Sequence, residues 1–211
     1  MGRPAKFSRD RLQAAALRLV DRDGVAGLSM RTLARELGTG PMTLYNHVAD
    51  RADLEVLVVE AVLAEVRWAR RRHADWRADA RSVATAMWRA VRRHPNAIPL
   101  VLVRRSRAAA LLAPSEALLA ALAGGGLRGA ALLVAFRAVT AFVMGFAQAE
   151  LAGPLATAAD EPAAATIARF RALPRARYPQ LVEIAGAAAR STAAREFRQG
   201  LDALLRGLVP E

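Results

Sequence analysis

The residues with the clearest chemical potential lie between Gly38 and Val48, where a tight turn leads into a short helix. The outward face of this helix combines small, polar and aromatic side chains: Gly40, Pro41, Met42, Thr43, Tyr45, Asn46 and His47. Such a face is typical of a helix in the major groove of DNA, where amides bond to base edges and apolar groups contact thymine methyls. A plain helical hairpin in an all-α domain is the alternative interpretation.

Two helices and a turn must hold this face outward. Ala34 is a small residue where the two helices cross, and Gly38 suits the turn between them. Leucines at helix-turn-helix spacing then share a small core with the preceding helix. The predicted core residues are Leu12, Leu19, Leu28, Leu33, Leu37, Leu44 and Val48. The pattern therefore predicts a three-helix DNA-binding unit.

Apolar periodicity and capping residues predict the first four helices. They cover residues 9–22, ended by Gly24; Met30 to Leu37, capped by Ser29; Met42 to Val48, after Pro41; and 51–72, capped by Asp50.

The rest of the chain also reads as helical. Further helices are predicted at 74–94, 100–112, 115–123 (separated from the one before by Pro114), 127–152 and 191–208, with a long loop at 153–179 that contains one short helix near 163–172. The fold class is therefore all-α: an N-terminal helix-turn-helix domain at 1–65 and a larger helical ligand-binding and dimerisation domain at 66–211.

The composition narrows the function classes. The chain has 211 residues, no cysteine and a formal net charge of +12. Absence of cysteine excludes disulfides, thiolate metal sites and cysteine nucleophiles. A basic balance favours an anionic partner such as nucleic acid. Lys6 is the only lysine, so an arginine and alanine excess from GC-rich coding is the alternative origin of the charge.

Enzyme motifs are missing from the sequence. It contains no G-x-S-x-G, no phosphate-binding G-x-x-x-x-G-K-[ST] and no H-E-x-x-H. The only histidines are His47, His73 and His94. We therefore expect no enzyme activity, no metal and no cofactor. A helical interaction or membrane-surface protein is the alternative to a DNA-binding protein.

The long apolar segment does not predict a membrane span. Its longest charge-free piece, 138–149, has 12 residues, whereas a bilayer needs about 20. No apolar signal segment follows Arg3 and Lys6. We expect a buried helix in a soluble, cytoplasmic protein.

The run GLSMRTLARELGTGPMTLYNHVADRADL (27–54) resembles the DNA-binding segment of the tetracycline-repressor (TetR) family, and the likeness extends over residues 7–65. FRAVTAFVMGF (136–146) and QGLDALLRGL (199–208) resemble the dimerisation helices of the tetracycline-repressor branch. The resemblance implies a transcriptional repressor that binds a palindromic operator in double-stranded DNA as a homodimer, through helices 127–152 and 191–208, and is released by a small-molecule effector.

The resemblance also implies roles for single residues. Phosphate contacts fall to Ser29 and Arg31, backbone-positioning contacts to Thr39, Thr43, Tyr45 and His47, and base contacts to Gly40, Pro41, Met42 and Asn46. The family often has a lysine after the His-Val pair; Ala49 stands here, which moves that phosphate contact to Arg51. The basic arm GRPAKFSR either reaches the minor groove or forms a disordered tail.

An effector pocket is expected in the second domain. Its predicted walls are Met87, Trp88, Leu100, Leu102, Phe136, Thr140, Phe142, Met144 and Tyr178. The tetracycline repressor holds its drug as a magnesium complex, but Arg67, Val101 and Ala149 stand at the matching metal-binding places. Because none of them is a metal ligand, we expect an apolar or anionic effector instead.

Positive charge is concentrated outside the helix-turn-helix. Residues 67–107 carry twelve arginines against Asp75 and Asp79. Three interpretations stay open: a solvated surface, long-range attraction to the DNA backbone, or an acidic effector or protein partner.

Overall fold

The computed structural model describes residues 8–69, 75–152 and 163–208, and this part of the chain contains helices and no strand. The helices are α1 Arg9–Gly27, α2 Met30–Glu36, α3 Pro41–Leu44, α4 Arg51–Ala64, α5 Trp76–Arg92, α6 Ile98–Arg104, α7 Leu112–Gly124, α8 Gly129–Ala152, α9 Ala163–Arg171, α10 Pro179–Ala188 and α11 Ala193–Leu208. Short 3-10 turns lie at Pro95–Ala97, Arg105–Arg107 and Ala109–Leu111. The predicted all-α class is confirmed.

The chain folds into two compact units. One comprises the described residues of 1–71 and 86–120, and the other those of 72–85 and 121–211. The first unit thus contains the helix-turn-helix together with α6 and most of α7. The division into a DNA-binding domain at 1–65 and an effector domain at 66–211 is functional, and it stays a prediction.

The core of the helix-turn-helix is as predicted. All seven expected core residues are at least 93% buried, and Ala34 is buried where α2 passes α3. Ser29 caps α2 with a reciprocal capping box, in which its hydroxyl accepts from the Thr32 amide at 3.1 Å. Gly38 takes a positive φ of 65° in the turn, a conformation that favours glycine. Local sequence signals thus fix this unit.

The predicted ends of three helices, α1, α3 and α4, are wrong. The first helix does not end at Gly24: that residue, with φ 69°, only kinks α1, which continues to Gly27. Helix α3 ends at Leu44 instead of Val48, because hydrogen-bonded turns follow, with the His47 amide donating to the Leu44 carbonyl at 2.8 Å.

Helix α4 ends at Ala64, eight residues before the predicted end. The Glu65 amide bonds to the Val62 carbonyl, one residue closer than in an α-helix, so the last turn tightens and stops. Val66 continues the apolar periodicity and is buried, but it lies outside the helix. Periodicity alone therefore predicted a helix too long.

Three further predictions about helices are wrong. Helix α6 ends at Arg104 instead of residue 112, and 3-10 turns follow at Arg105–Arg107 and Ala109–Leu111. Pro114 does not separate two helices; it lies in the first turn of α7, where a missing backbone N–H leaves no helical bond unmade. Helix α10 was not predicted at all, although Pro179 occupies its first turn. The short helix near 163–172 is confirmed as α9.

In the second unit, α8 and α11 pack together through apolar faces. Helix α11 buries Phe197, Leu201 and Leu205. The Phe197 ring lies 5.4 Å from the rings of both Phe142 and Phe146 on α8. A Cβ atom on Gly200 would lie 2.7 Å from the Phe142 ring, so glycine permits the close approach of the two helices.

The long apolar helix is less buried than predicted. Its segment Gly129–Glu150 has a mean hydropathy of 2.0, is long and apolar enough to cross a membrane, and has only 28% of its most apolar window buried. The buried residues form one face, namely Ala135, Val139, Val143, Met144 and Ala147. Elsewhere on this helix, Leu133 and Val134 are 47% and 63% exposed in one copy of the chain.

Candidate nucleic-acid interface and effector site

The predicted base-reading face is exposed on a buried scaffold. Leu44 is fully buried and anchors α3, whereas Met42 and Tyr45 are 78% and 52% exposed. Gly40 precedes the helix in an extended conformation and Pro41 is its first residue. Because these side chains lie at the surface, this face is available for contact.

The other predicted DNA-binding residues surround this face in sequence, and all lie in the first unit. Arg31, Gly40, Pro41, Asn46 and Arg51 are exposed, and Ser29, Thr39, Thr43 and His47 are half-buried. The Ser29 hydroxyl is engaged in the capping box, where it also lies 2.9 Å from the Thr32 hydroxyl. These residues thus lie in one compact unit, and their individual contacts with DNA stay predictions.

Arg51 is bonded inside the protein. Its guanidinium donates to the backbone carbonyls of Leu28 and Val25, the latter at 3.1 Å, and its Nε donates to Glu55 Oε1 at 2.9 Å. These carbonyls lie at the end of α1 and directly before the Ser29 cap. Arg51 therefore fastens α4 to the chain entering α2, a role that the sequence does not signal.

Glu55 joins this arginine to α6. Its other carboxylate oxygen accepts from Arg104 Nε at 2.9 Å. Partial burial raises the pKa of the Glu55 carboxyl, but the hydrogen bonds from Arg51 and Arg104 outweigh burial, so the pKa lies below its ordinary value. The ionised carboxylate is thus the form that links α4, α6 and the helix-turn-helix.

This pKa predicts a stability difference that depends on pH. A carboxyl with a lowered folded-state pKa contributes stability above its unfolded pKa of about 4.5, and the contribution is lost as pH falls through the folded pKa. We expect Glu55→Gln to lower the melting temperature clearly at pH 7 and progressively less below pH 4.5. Melting curves of both proteins from pH 7 to pH 3 measure this. A difference that grows on acidification would contradict the assignment.

A second polar cluster joins α1 to α4. Glu60 is 7% exposed within the apolar second half of α4, and its Oε2 accepts from Arg9 at 2.6 Å and from Gln13 at 2.7 Å. A buried carboxylate needs such partners. The sequence signal for this link is the single acidic residue within the apolar run VLVVEAV.

His94 connects the turn after α5 to α1. Its Nδ1 lies 2.9 Å from Asp21 Oδ2, its Nε2 lies 3.2 Å from Glu65 Oε1, and Asn96 donates to the Asp21 carbonyl at 2.9 Å. Glu65 also accepts from Arg93, at 2.6 and 2.9 Å. Burial raises the pKa of Glu65, but the bonds from His94 and Arg93 lower it below its ordinary value.

The predicted effector residues fall in both compact units. Met87, Trp88, Leu100 and Leu102 belong to the first unit, and Phe136, Thr140, Phe142, Met144 and Tyr178 to the second. Met87, Trp88, Leu100 and Met144 are buried, Leu102 is exposed, and the other four are half-buried. Thr140 donates to the Phe136 carbonyl of its own helix at 2.9 Å. Their role as pocket walls stays a prediction.

The residues at the magnesium-binding places do not fit a metal. Arg67 is a cation, Val101 is buried and apolar, and Ala149 has no ligand atom. Within residues 8–69, 75–152 and 163–208, no three His, Asp or Glu side chains are grouped to hold a metal ion. These three positions therefore supply no ligand for a magnesium–tetracycline complex, and the absence of a metal stays an expectation.

Comparison with known proteins gives one consistent likeness. Residues 70–210 match the family model described as "Tetracyclin repressor-like, C-terminal domain". An HTH-type transcriptional regulator of Saccharopolyspora erythraea is 38% identical over 70% of the chain, and the HTH-type transcriptional repressor DrrR1 of Streptomyces coeruleorubidus is 34% identical over 67%. The chain spans 66% and 53% of the lengths of these relatives.

Solved structures extend the likeness over nearly the whole chain. Apo ActR from Streptomyces coelicolor has 29% sequence identity and a TM-score of 0.72, with 99% of this chain and 97% of that chain covered. ActR in complex with actinorhodin has a TM-score of 0.77 at 27% identity, covering 96% of both chains. The similarity thus includes both the helix-turn-helix and the larger helical remainder.

Proposed function

The chain belongs to the tetracycline-repressor family of transcriptional regulators, and we propose that it is a repressor that binds a palindromic operator as a homodimer and is released by a small-molecule effector. The exposed face of α3 carries this proposal, because Met42 and Tyr45 are exposed beside Asn46 while Leu44 of the same helix is fully buried. Amide and apolar groups so placed can read base edges in a major groove. Members of the family are soluble DNA-binding proteins, and we place this one in the cytoplasm.

A homodimer is the second part of the proposal. Leu133 and Val134 are exposed on α8, whose apolar surface needs a cover. A second copy of the chain, related by a two-fold axis, can cover this surface with the same surface of its own. Two copies also present two α3 faces to two half-sites, which is why a palindromic operator is expected.

Release by an effector is the third part. The ActR structure with actinorhodin shows that a protein of this fold binds a small molecule, and DrrR1 is named a repressor. For this chain we propose an effector site in the helical part that matches the C-terminal family model, residues 70–210. An effector can shift the DNA-binding equilibrium only if it binds one conformation of the protein more tightly than another. No enzymatic step is needed for that.

The direct test is an anisotropy titration on the intergenic DNA upstream of the protein's own coding region. It is run near 150 mM salt with excess nonspecific competitor, because phosphate contacts alone give salt-sensitive, sequence-independent binding. A competitor-resistant complex of two chains per site supports the proposal. Binding that competitor DNA abolishes across a genome-derived fragment library would contradict it.

One observation favours a second candidate, a membrane-surface or interaction protein. The segment Gly129–Glu150 is apolar enough to span or enter a bilayer. Flotation with liposomes separates the two candidates. A protein that floats with vesicles and fails to dimerise in solution supports this second candidate, whereas a dimer that stays with the soluble fraction supports the repressor.

The roles of two residues in DNA binding can be separated by mutation. Asn46→Ala should reduce discrimination at one base pair by about 1–3 kcal/mol, because an amide bonds an adenine edge in a sequence-dependent way. Arg31→Ala should weaken binding to all sequences about equally and lower the salt slope by about one, because a phosphate contact carries no sequence information. Titrations on single-base operator variants at several salt concentrations measure both.

Arg35→Ala is the matched control for Arg31→Ala, because both arginines are exposed on α2 and only Arg31 is a predicted contact. It should retain the salt slope of the unaltered protein. If Asn46→Ala leaves the ranking of operator variants unchanged, the base contact is wrongly assigned.

A further inference from the structure

A groove of about 410 Å³ lies in the first unit, apart from the predicted effector residues. It is lined by Glu65 and Arg67, which follow α4, by Ala86 and Arg89 of α5, and by Arg93, which follows α5 directly. Ala86 and Arg89 are three positions apart, so they share one face of the helix. The volume is within the range of small-ligand sites and too large for a bare phosphate ion.

The charges in this groove do not balance. Three guanidinium groups face one carboxylate, so two positive charges are left without a partner in the lining. Arg93 uses its Nε and one terminal nitrogen on Glu65, which leaves its other terminal nitrogen free to donate. Arg67 donates from a single terminal nitrogen to the carbonyls of Ala64 and Val66.

Arg89 is the most available of the three. Among the described residues it has no hydrogen-bond, ion-pair or ring partner. Arg93, a second cation in the lining, follows it by four residues, directly after the helix. The placement of Arg89 in the last turn of α5 suits the helix dipole, but the dipole does not explain a concave site with three converging arginines.

We propose that this groove binds a small organic dianion whose carboxylate or phosphate groups are held by Arg67, Arg89 and Arg93. Guanidinium groups bind such oxyanions with paired, charge-assisted hydrogen bonds. Two uncompensated positive charges match two negative charges on the ligand. Glu65 accepts a hydrogen bond from a ligand hydroxyl, and a ligand oxyanion shares Arg93 with Glu65.

A small ligand fits the groove better than a DNA backbone does. The site is concave, and its wall contains a carboxylate that would repel a polyanion held along it. Free malate, a dicarboxylate with a hydroxyl, and inorganic pyrophosphate are therefore suitable probes of the two oxyanion chemistries. Binding does not require operator DNA, so this proposal can fail while the repressor proposal stands, and the reverse.

The test is isothermal titration calorimetry of the full chain with malate and with pyrophosphate at 150 mM salt. Arg89→Gln should weaken binding about tenfold, since it removes a charged pair from an exposed helix position without harming the helix. Arg89→Lys should restore binding in part, because a lysine keeps the charge and loses the planar fork. Glu65→Gln should tighten binding, because it removes the single negative charge from the lining.

Arg171→Gln is the matched control, an exposed arginine in the last turn of α9 that removes the same charge elsewhere. It should bind the probes as the unaltered protein does. Equal weakening by Arg171→Gln and Arg89→Gln would mean that the probes respond only to net charge, and would overturn the proposal. Loss of operator affinity in Arg89→Gln with probe binding unchanged would assign the arginine to the DNA backbone, and would also overturn it.

Discussion

Replacing Val134 by glutamate is expected to convert the protein from a dimer into monomers and to weaken operator binding at least a hundredfold. Val134 is 63% exposed on α8 in a single chain. It shares a helix face with Ala138, Ala141 and Gly145, on the side opposite the buried residues Val139 and Val143. In the proposed dimer this face is covered by the second copy, so two carboxylates would be buried close together without partners.

The loss of operator affinity follows from the loss of the dimer. Two linked DNA-binding units gain about 10²–10⁴ in affinity over one, because the second contact is intramolecular. Light scattering measures the mass and anisotropy titration measures the affinity. Val103→Glu is the matched control, since Val103 is 69% exposed on α6, outside the proposed interface, and should leave the mass at two chains.

If the Val134→Glu variant is a dimer of normal mass, the proposed interface is wrong. Leu204→Glu, on α11, is a less clean test of the same interface. Leu204 lies among Phe197, Leu201 and Leu205, which are buried within a single chain. A charge there would destabilise the packing of α8 on α11 as well as the interface between copies. If the variant unfolds, the result therefore says nothing about the interface. Val134 avoids this confusion because little of its own chain covers it.

The helix-turn-helix was predictable because its determinants are local. Ser29 caps α2, Gly38 takes the positive φ that the turn needs, and Asp50 caps α4 by accepting from the Asp53 amide at 2.8 Å. Each signal acts within four residues of the chain. The core leucines could be chosen by the same logic, since helical spacing decides which side chains face inward.

The helix ends and the polar links were not predictable, because they depend on residues distant in sequence. Nothing in the sequence near Ala64 stops α4, and the chain turns there while keeping Val66 buried. The partners Arg9 and Glu60 are 51 residues apart, and His94 and Asp21 are 73 apart. The exposure of α8 could not be predicted for a related reason. Apolar periodicity predicts that a helix face is buried, but it does not tell whether the same chain or another chain buries it.

Arg51 gives the second large effect, and it separates a structural role from a DNA contact. We expect Arg51→Ala to lower the free energy of unfolding by about 2–3 kcal/mol, because it leaves the Leu28 carbonyl without this donor, the Val25 carbonyl with the Leu28 amide alone, and Glu55 with one partner fewer. Chemical denaturation measures this loss. Operator affinity should also fall, since the chain entering α2 is held less firmly.

The salt dependence of operator binding decides between the two roles. If Arg51 contacts a phosphate, as the resemblance implies, its removal lowers the slope of log affinity against log salt by about one. If it acts only by fastening α4 to Val25 and Leu28, the slope stays unchanged while the affinity falls. We expect the unchanged slope, because the guanidinium is already bonded to two carbonyls and a carboxylate. The double variant Arg51→Ala, Glu55→Ala should be less unstable than the two single losses added together, because the partners act as one unit.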